Sequence, residues 1–227
     1  MSAGRPIQLP LGIKLRDEAT FASYYPGPNA AVLAATQAFA EPQSSVDECC
    51  LYLWGSEGTG RTHLLQAACH ALADVGGLAM YLPLDELADE GPLLLEGMES
   101  VDLLCLDKLE AVAGRPDWEE ALFHLYNRMR EQGGRLLVAA VAAPRALGLQ
   151  LPDLASRLGW GLVFQLQPLD DAGKQEVLKL RAAQRGLQLT DYVARYILSR
   201  GARGMGELFA ALETLDQASL RDQHRLT

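Results

Sequence analysis

The chain has 227 residues, 49% of them hydrophobic and 22% charged, values of a globular protein with room for one large domain or for one domain and a smaller companion. Its formal charge of −9 and pI near 4.9 argue against a general DNA binder, which needs clustered Lys and Arg, and point to protein partners instead. No stretch approaches membrane-spanning length and no apolar leader opens the sequence, so neither a membrane span nor a signal peptide is expected.

Residues 1–18 are polar apart from Gln8-Leu9-Pro10-Leu11-Gly12-Ile13. A Gln followed by spaced apolar side chains cannot bury itself locally. It either docks as an extended peptide in an apolar groove or packs on its own domain, and chemistry alone does not choose. Phe21, Tyr24, Tyr25, Pro26 and Gly27 then form an aromatic, turn-rich patch. Placed just ahead of a phosphate loop, it either walls an adenine ring or belongs to the core, with aromatic burial leaning to core. An Ala-rich helix is expected over residues 29–39, with Asn29 as N-cap, followed by a polar link to residue 48.

Residues 49–54 read as a buried strand, residues 55–60 as a glycine-rich turn, and Arg61-Thr62 as the start of an amphipathic helix with Leu64, Leu65, Ala68 and Leu72 on one face. The stretch Gly55-Ser56-Glu57-Gly58-Thr59-Gly60-Arg61-Thr62-His63 has the spacing Gly-x-x-x-x-Gly-basic-Thr of a P-loop. Its glycines let successive N–H groups turn toward one point, and the helix N-terminus adds partial positive charge there, so a di- or triphosphate fits. An ordinary strand-to-helix turn would explain the glycines but not the whole ordered set. Arg61 stands where Lys is usual; a planar fork still holds phosphates but places them differently for cleavage.

Further on, residues 77–83 are a second strand and residues 85–98 one or two helices broken at Gly91-Pro92. A third strand, residues 101–107, ends in Asp107, where a P-loop ATPase keeps the acid that holds Mg²⁺ through water; Thr62 would supply the hydroxyl ligand. Residues 117–132 form a helix carrying Trp118, Leu122, Leu125, Tyr126 and Met129. A fourth strand over 135–143 stops at Pro144, a short helix covers 151–158, and a fifth strand covers 161–166. Wholly apolar strands alternating with helices imply an α/β fold with a parallel sheet covered on both faces. From Pro168 the strand signal stops. Residues 170–185, 190–200 and 203–219 read as three helices, a small lid divided by Gly186, Gly201 and Gly204. Cys49, Cys50, Cys69 and Cys105 show no Cys-x-x-Cys spacing and read as reduced, buried thiols of a cytoplasmic protein.

P-loop, acidic strand end, Arg-bearing helix and trailing three-helix bundle together resemble an AAA+ P-loop NTPase. The run from Asp153 to Leu162, with Ser156, Arg157, Gly159, Trp160 and Gly161, resembles the Ser-Arg-Phe-Gly-Trp-Gly box of the bacterial initiator DnaA. The box Arg reaches the nucleotide of a neighbouring subunit; here it is Arg157. Over nearly its whole length the chain is similar to the Hda family, DnaA-related regulatory inactivators of replication initiation without the initiator's C-terminal DNA-binding domain, and the sequence likewise stops after its expected lid.

The resemblance implies a flexible tail with a clamp-binding peptide (residues 1–18), an AAA+ core (19–167) and a three-helix lid (168–227). Gln8, Leu9 and Leu11 would bind the DNA polymerase III sliding clamp (its beta subunit), with Gly12 standing where a Pro often follows. ADP or ATP with Mg²⁺ would be held by residues 55–63, Asp107, Tyr25 and Pro26, with Thr62 and Asp107 at the metal. The partners would be DnaA and the clamp, without strong direct DNA binding, in the bacterial cytoplasm and at the nucleoid through the clamp; self-assembly is left open.

Several catalytic parts depart from the family pattern. Lys108 occupies the place of the water-polarising acid, and an ammonium is no base at neutral pH. Glu110 is near in sequence, but its side chain is expected to point elsewhere. Residues 139–143, Val141 among them, offer no polar sensor, and Gly206 falls where a second sensor Arg is usual, with Arg203 one turn away. Weak intrinsic hydrolysis is therefore expected, with ADP as a structural ligand and Arg157 lent to DnaA-bound ATP. Competing readings are an autonomous ATPase that loads a replicative helicase, and a DNA-binding initiator fragment; charge and the lack of a helix-turn-helix disfavour the latter.

Overall fold

A computed structural model describes residues 15–42, 48–200 and 204–222. In chain order the longer elements are helix α1 (Ala30–Ala40), strand β1 (Cys50–Trp54), α2 (Arg61–Asp74), β2 (Ala79–Pro83), α3 (Leu84–Leu87), β3 (Leu103–Asp107), α4 (Pro116–Gln132), β4 (Arg135–Ala140), α5 (Pro152–Leu158), β5 (Leu162–Gln165), α6 (Asp171–Gln184), α7 (Asp191–Arg200) and α8 (Met205–Asp222). The five strands form one parallel sheet in the order β2-β3-β4-β1-β5.

Alternate residues of each strand feed opposite faces. Cys50, Tyr52, Leu104, Leu106, Leu136 and Val138 pack with α4 and α5, where Trp118, Leu125, Met129, Leu154 and Leu158 are buried. Leu51, Leu53, Leu103, Cys105, Leu137 and Ala139 pack with α1 and α2 through Phe39, Leu64, Leu65, Ala68 and Leu72. The inner strands β1, β3 and β4 are apolar on both faces because both faces are covered, whereas edge strand β5 leaves Val163 and Gln165 exposed. A separate cluster of Leu178, Ala182, Ile197, Leu208 and Leu212 closes the three-helix lid.

Three expectations change in detail. The stretch expected as one or two helices is α3 followed by single 3-10 turns, Ala88–Glu90, Pro92–Leu95 and Met98–Ser100, separated by Gly91 and Gly97, both at positive φ. Asn29 does precede α1, but its side chain makes no cap. It is buried and exchanges two hydrogen bonds with the backbone of Gln167, at 2.9 and 2.8 Å, tying the start of α1 to the chain leaving β5. The fourth strand ends at Ala140 rather than 143.

The segment before α1 is also packed. Leu15 lies against the α2 face of the core, and Arg16 N–H donates to Gln66 on α2 at 3.2 Å. Glu18 forms ion pairs with Arg181 and Arg185, joining this segment to the lid end of α6.

Candidate nucleotide site and arginine box

The C-terminal edge of a parallel sheet is where the fold opens a ligand crevice, and here it holds the glycine-rich turn between β1 and α2. Space around the turn is tight. A Cβ on Gly55 would meet the Leu166 carbonyl oxygen at 2.7 Å, and one on Gly60 (φ +92) would meet the Tyr24 ring at 2.7 Å. Glycine is therefore required at both positions. Thr59 is buried and its hydroxyl donates to Ser56 O at 2.8 Å, which shapes the turn from inside. Ser56, Glu57 and Gly58 face solvent, and Met205, first residue of α8, lies 3.4 Å from where a Gly58 Cβ would sit. The lid thus reaches over the turn.

Behind the turn lies Asp107, 1% exposed. One carboxylate oxygen accepts from Thr62 Oγ1 at 2.6 Å and from the Tyr81 hydroxyl at 2.8 Å; the other accepts from Lys108 N–H at 2.9 Å. Burial first, and then the Asp107 charge, push the Tyr81 hydroxyl far above its ordinary pKa, so it stays a donor. Thr62 and Asp107, the two residues expected at the metal, thus meet in a hydrogen bond, and Tyr81, which the sequence did not announce, joins them.

Lys108 is the one non-glycine residue at positive φ among the described residues (φ 56). Its ammonium turns away to pair with Asp85, which is the main cause of its raised pKa. The left-handed step starts a 3-10 turn, Leu109–Ala111, whose Leu109 is buried. This turn overrules the expectation that Glu110 points elsewhere. Its Oε1 lies 3.6 Å from Arg61 Nη1, and its Oε2 accepts the N–H of Val141 at 3.1 Å, just past the end of β4. Arg61 Nη1 is buried and makes no hydrogen bond. A buried guanidinium nitrogen without a hydrogen-bond partner, glycines that tolerate no side chain and a Thr–Asp pair together fit a magnesium-bound polyphosphate.

On the other side of the turn, His63 Nε2 is 2.8 Å from Thr20 O and 3.2 Å from Ser23 Oγ. Burial holds its pKa below the ordinary value, so the ring is neutral near pH 7. The Tyr24 ring stands 5.5 Å from that of His63, its hydroxyl reaches Thr59 O at 3.4 Å, and burial pushes its pKa up to about 12. Of the aromatic patch, then, Tyr24 rests on the turn. Tyr25 and Pro26 lie in the bend ahead of α1, where a Cβ on Gly27 would come 3.2 Å from the Tyr25 ring.

Arg157 lies at the opposite end of β1. A Cβ on Gly161 would fall 2.0 Å from the carbonyl oxygen of Cys50, the first residue of β1, whereas Gly55 follows its last. Five residues of strand separate these ends by roughly 15 Å. Leu154 and Leu158 bury the inner face of α5, and Glu119, 1% exposed, fixes its entry by accepting from Gly114 N at 2.6 Å and Leu151 N at 2.7 Å. The guanidinium lies over Phe123, Tyr126 and Trp160, at 5.4, 5.8 and 5.6 Å from the ring centroids. Among the described residues no carboxylate comes within ion-pair distance of it. Trp160 is 67% exposed beside it. A groove of about 460 Å³ opens next to this platform, lined by Phe123, His124, Glu119, Glu120, Gln150 and Leu151.

The predicted phosphate-loop residues 55–63 and Asp107 thus converge, and Arg157 stands apart from them. Gln8, Leu9, Leu11, Gly12 and Arg203 lie outside the described residues, and Gly206 is exposed on the first turn of α8. All four cysteines are free thiols. Among the described residues no helix is long and apolar enough to cross a membrane.

Two family models match the sequence: "Hda, lid domain" over residues 171–227 and "Bacterial DnaA ATPAse domain" over residues 88–165. Domain III of the Thermotoga maritima replication initiation protein DnaA superposes with a TM-score of 0.82 at 20% identity, covering 95% of this chain and 94% of that one. AMPPCP-bound DnaA from Aquifex aeolicus gives 0.77 at 23% identity over 90% of this chain and 67% of that one. A replication initiator DnaA bound to AMPPCP and single-stranded DNA gives 0.75 at 22%, over 93% and 70%.

Proposed function

Because this chain is an AAA+ protein related to Hda and DnaA, with an Hda-type lid, we propose that it is a negative regulator of replication initiation that acts on nucleotide bound to DnaA. It binds ADP, or ATP, in its own P-loop as a structural ligand and hydrolyses ATP weakly by itself. Gln8, Leu9 and Leu11 dock it on the sliding clamp of the DNA polymerase. Arg157 then enters the ATP site of DnaA, where a guanidinium supplied in trans stabilises charge on the transferring phosphoryl group and is worth about 10³–10⁵ in rate.

One observation supports this reading: Arg157 is held on three aromatic rings at the sheet end remote from its own P-loop, without an ion pair among the described residues. An Arg that served its own nucleotide would have to lie at the other end of β1. In the chain's own site the backbone of residues 55–60 and Arg61 would cradle phosphates, and Thr62 and Asp107 would hold the metal. Bound there, Mg²⁺ would neutralise phosphate charge. Lys108 turns away and Val141 offers only its N–H, which supports slow intrinsic turnover.

Turnover of labelled ATP by DnaA should rise when this chain, clamp and DNA are all present and fall to the DnaA baseline when any one is omitted. Full stimulation without the clamp would remove the docking step; no stimulation in the complete mixture would remove the function. A second reading, an autonomous ATPase that loads a replicative helicase, draws on the carboxylate of Glu110 beside Arg61. It requires brisk hydrolysis by the purified chain alone.

A further inference from the structure

A P-loop's basic residue normally reaches the outermost phosphates. In this chain that side chain already has a counter-charge: Glu110 Oε1 lies 3.6 Å from Arg61 Nη1. The carboxylate is fixed from a second side by the Val141 N–H, 3.1 Å from Oε2. It therefore stands between the end of β4 and the tip of the P-loop arginine, the corner that the last phosphate of a triphosphate would enter. Lys108 does not offset its charge, because that ammonium is paired with Asp85. Buried Leu109 and the left-handed turn at Lys108 hold the carboxylate in this corner.

A γ-phosphate brought to Arg61 must compete with Glu110 for one guanidinium and accept a like charge a few ångströms away, in a partly buried place where screening is weak. A diphosphate makes neither demand. Its β-phosphate can take the glycine-loop amides while Glu110 keeps its place beside Arg61 Nη1. We infer that Glu110 is a specificity-determining residue that holds Arg61 against the γ-phosphate, so that the site prefers a nucleoside diphosphate to the triphosphate.

This inference rests on the reading of the P-loop as a nucleotide site, and the test separates the two. The full chain is titrated with fluorescent analogues of ADP and ATP in the presence of Mg²⁺, as the unaltered protein and as Glu110→Gln. Glutamine keeps an acceptor for Val141 N–H and removes the charge. The unaltered chain should bind the ADP analogue more tightly, and Glu110→Gln should shift the ATP-to-ADP affinity ratio toward ATP by about tenfold or more. A ratio that moves by less than about twofold overturns the role of Glu110 while leaving nucleotide binding intact. Failure of the unaltered chain to bind either analogue overturns both. A fall in ATP turnover with an unmoved ratio also overturns it, and makes Glu110 a catalytic base instead. Should Glu110→Gln not fold, as judged by thermal melting, Glu110→Asp keeps the charge but shortens its reach. It should move the ratio in the same direction by a smaller factor, and an unmoved ratio there overturns the inference as well.

Discussion

Arg61 on α2 and Arg157 on α5 stand beside opposite ends of β1 and are treated in opposite ways. Arg61 is largely buried, and its Nη1 faces Glu110 without a hydrogen bond. Arg157 forms no ion pair among the described residues and lies against Phe123, Tyr126 and Trp160. A carboxylate would pull a guanidinium back onto its own surface. Aromatic faces hold it by quadrupole attraction and contact area while leaving its N–H edge free to donate. One arginine is committed within the chain, and the other is oriented but chemically available.

The sharpest way to break this contrast is Arg157→Ala, which should abolish stimulation of DnaA-bound ATP hydrolysis, a loss on the order of 10³-fold or more. Arg157→Lys should recover little, since an ammonium neither stacks on the three rings nor offers a planar fork; near-complete stimulation by either variant would end the finger assignment.

The committed side of the contrast is tested by Asp107→Ala. It strands the Tyr81 hydroxyl, Thr62 Oγ1 and Lys108 N–H, and should lower unfolding free energy by about 3 kcal/mol in denaturant melts. A loss under about 1 kcal/mol would mean that water replaces the carboxylate cheaply. Gly161→Ala comes next, because its Cβ would fall on the Cys50 carbonyl oxygen. It should cost on the order of 2 kcal/mol. By displacing Trp160 and α5 it should also weaken stimulation more than nucleotide binding, measured on the same preparation.

The smallest effect concerns pH. His63 has a folded pKa below its unfolded value because it is buried. The unfolded chain therefore takes up the proton first, and stability falls as pH drops below about 6.5, continuing down to the folded pKa. Above that range the contribution is constant. His63→Gln should flatten the slope of melting temperature against pH between about pH 6.5 and 5, and an unchanged slope would place the titration elsewhere.

The sheet and the long helices were legible because local pattern decides them: apolar runs five or six residues long, or apolar positions at helical spacing. The P-loop and Asp107 were legible because their chemistry depends on fixed spacing. Glu110 was not, since its direction hangs on Lys108 adopting φ 56, a conformation that nothing in a run of Leu-Asp-Lys-Leu-Glu announces. Asn29 was misassigned as a capping side chain for a related reason. Its partner, Gln167, is 138 positions away, and a long-range pair outbids the local cap. Tyr24 over Tyr25 is a choice between adjacent rings that only the packing around Gly60 makes. The lone signal available for Glu110 was an acid three positions after Asp107 in a site otherwise lacking a base.

Glu18 carries a mechanical consequence. It lies just ahead of the aromatic patch, paired with Arg181 of α6 and with Arg185 just past that helix, and the backbone N–H of nearby Arg16 donates to Gln66 of α2. Tension applied to the chain upstream of Leu15 would therefore be shared between the lid and α2. Freeing that segment would require rupturing charged contacts on one and a backbone hydrogen bond on the other.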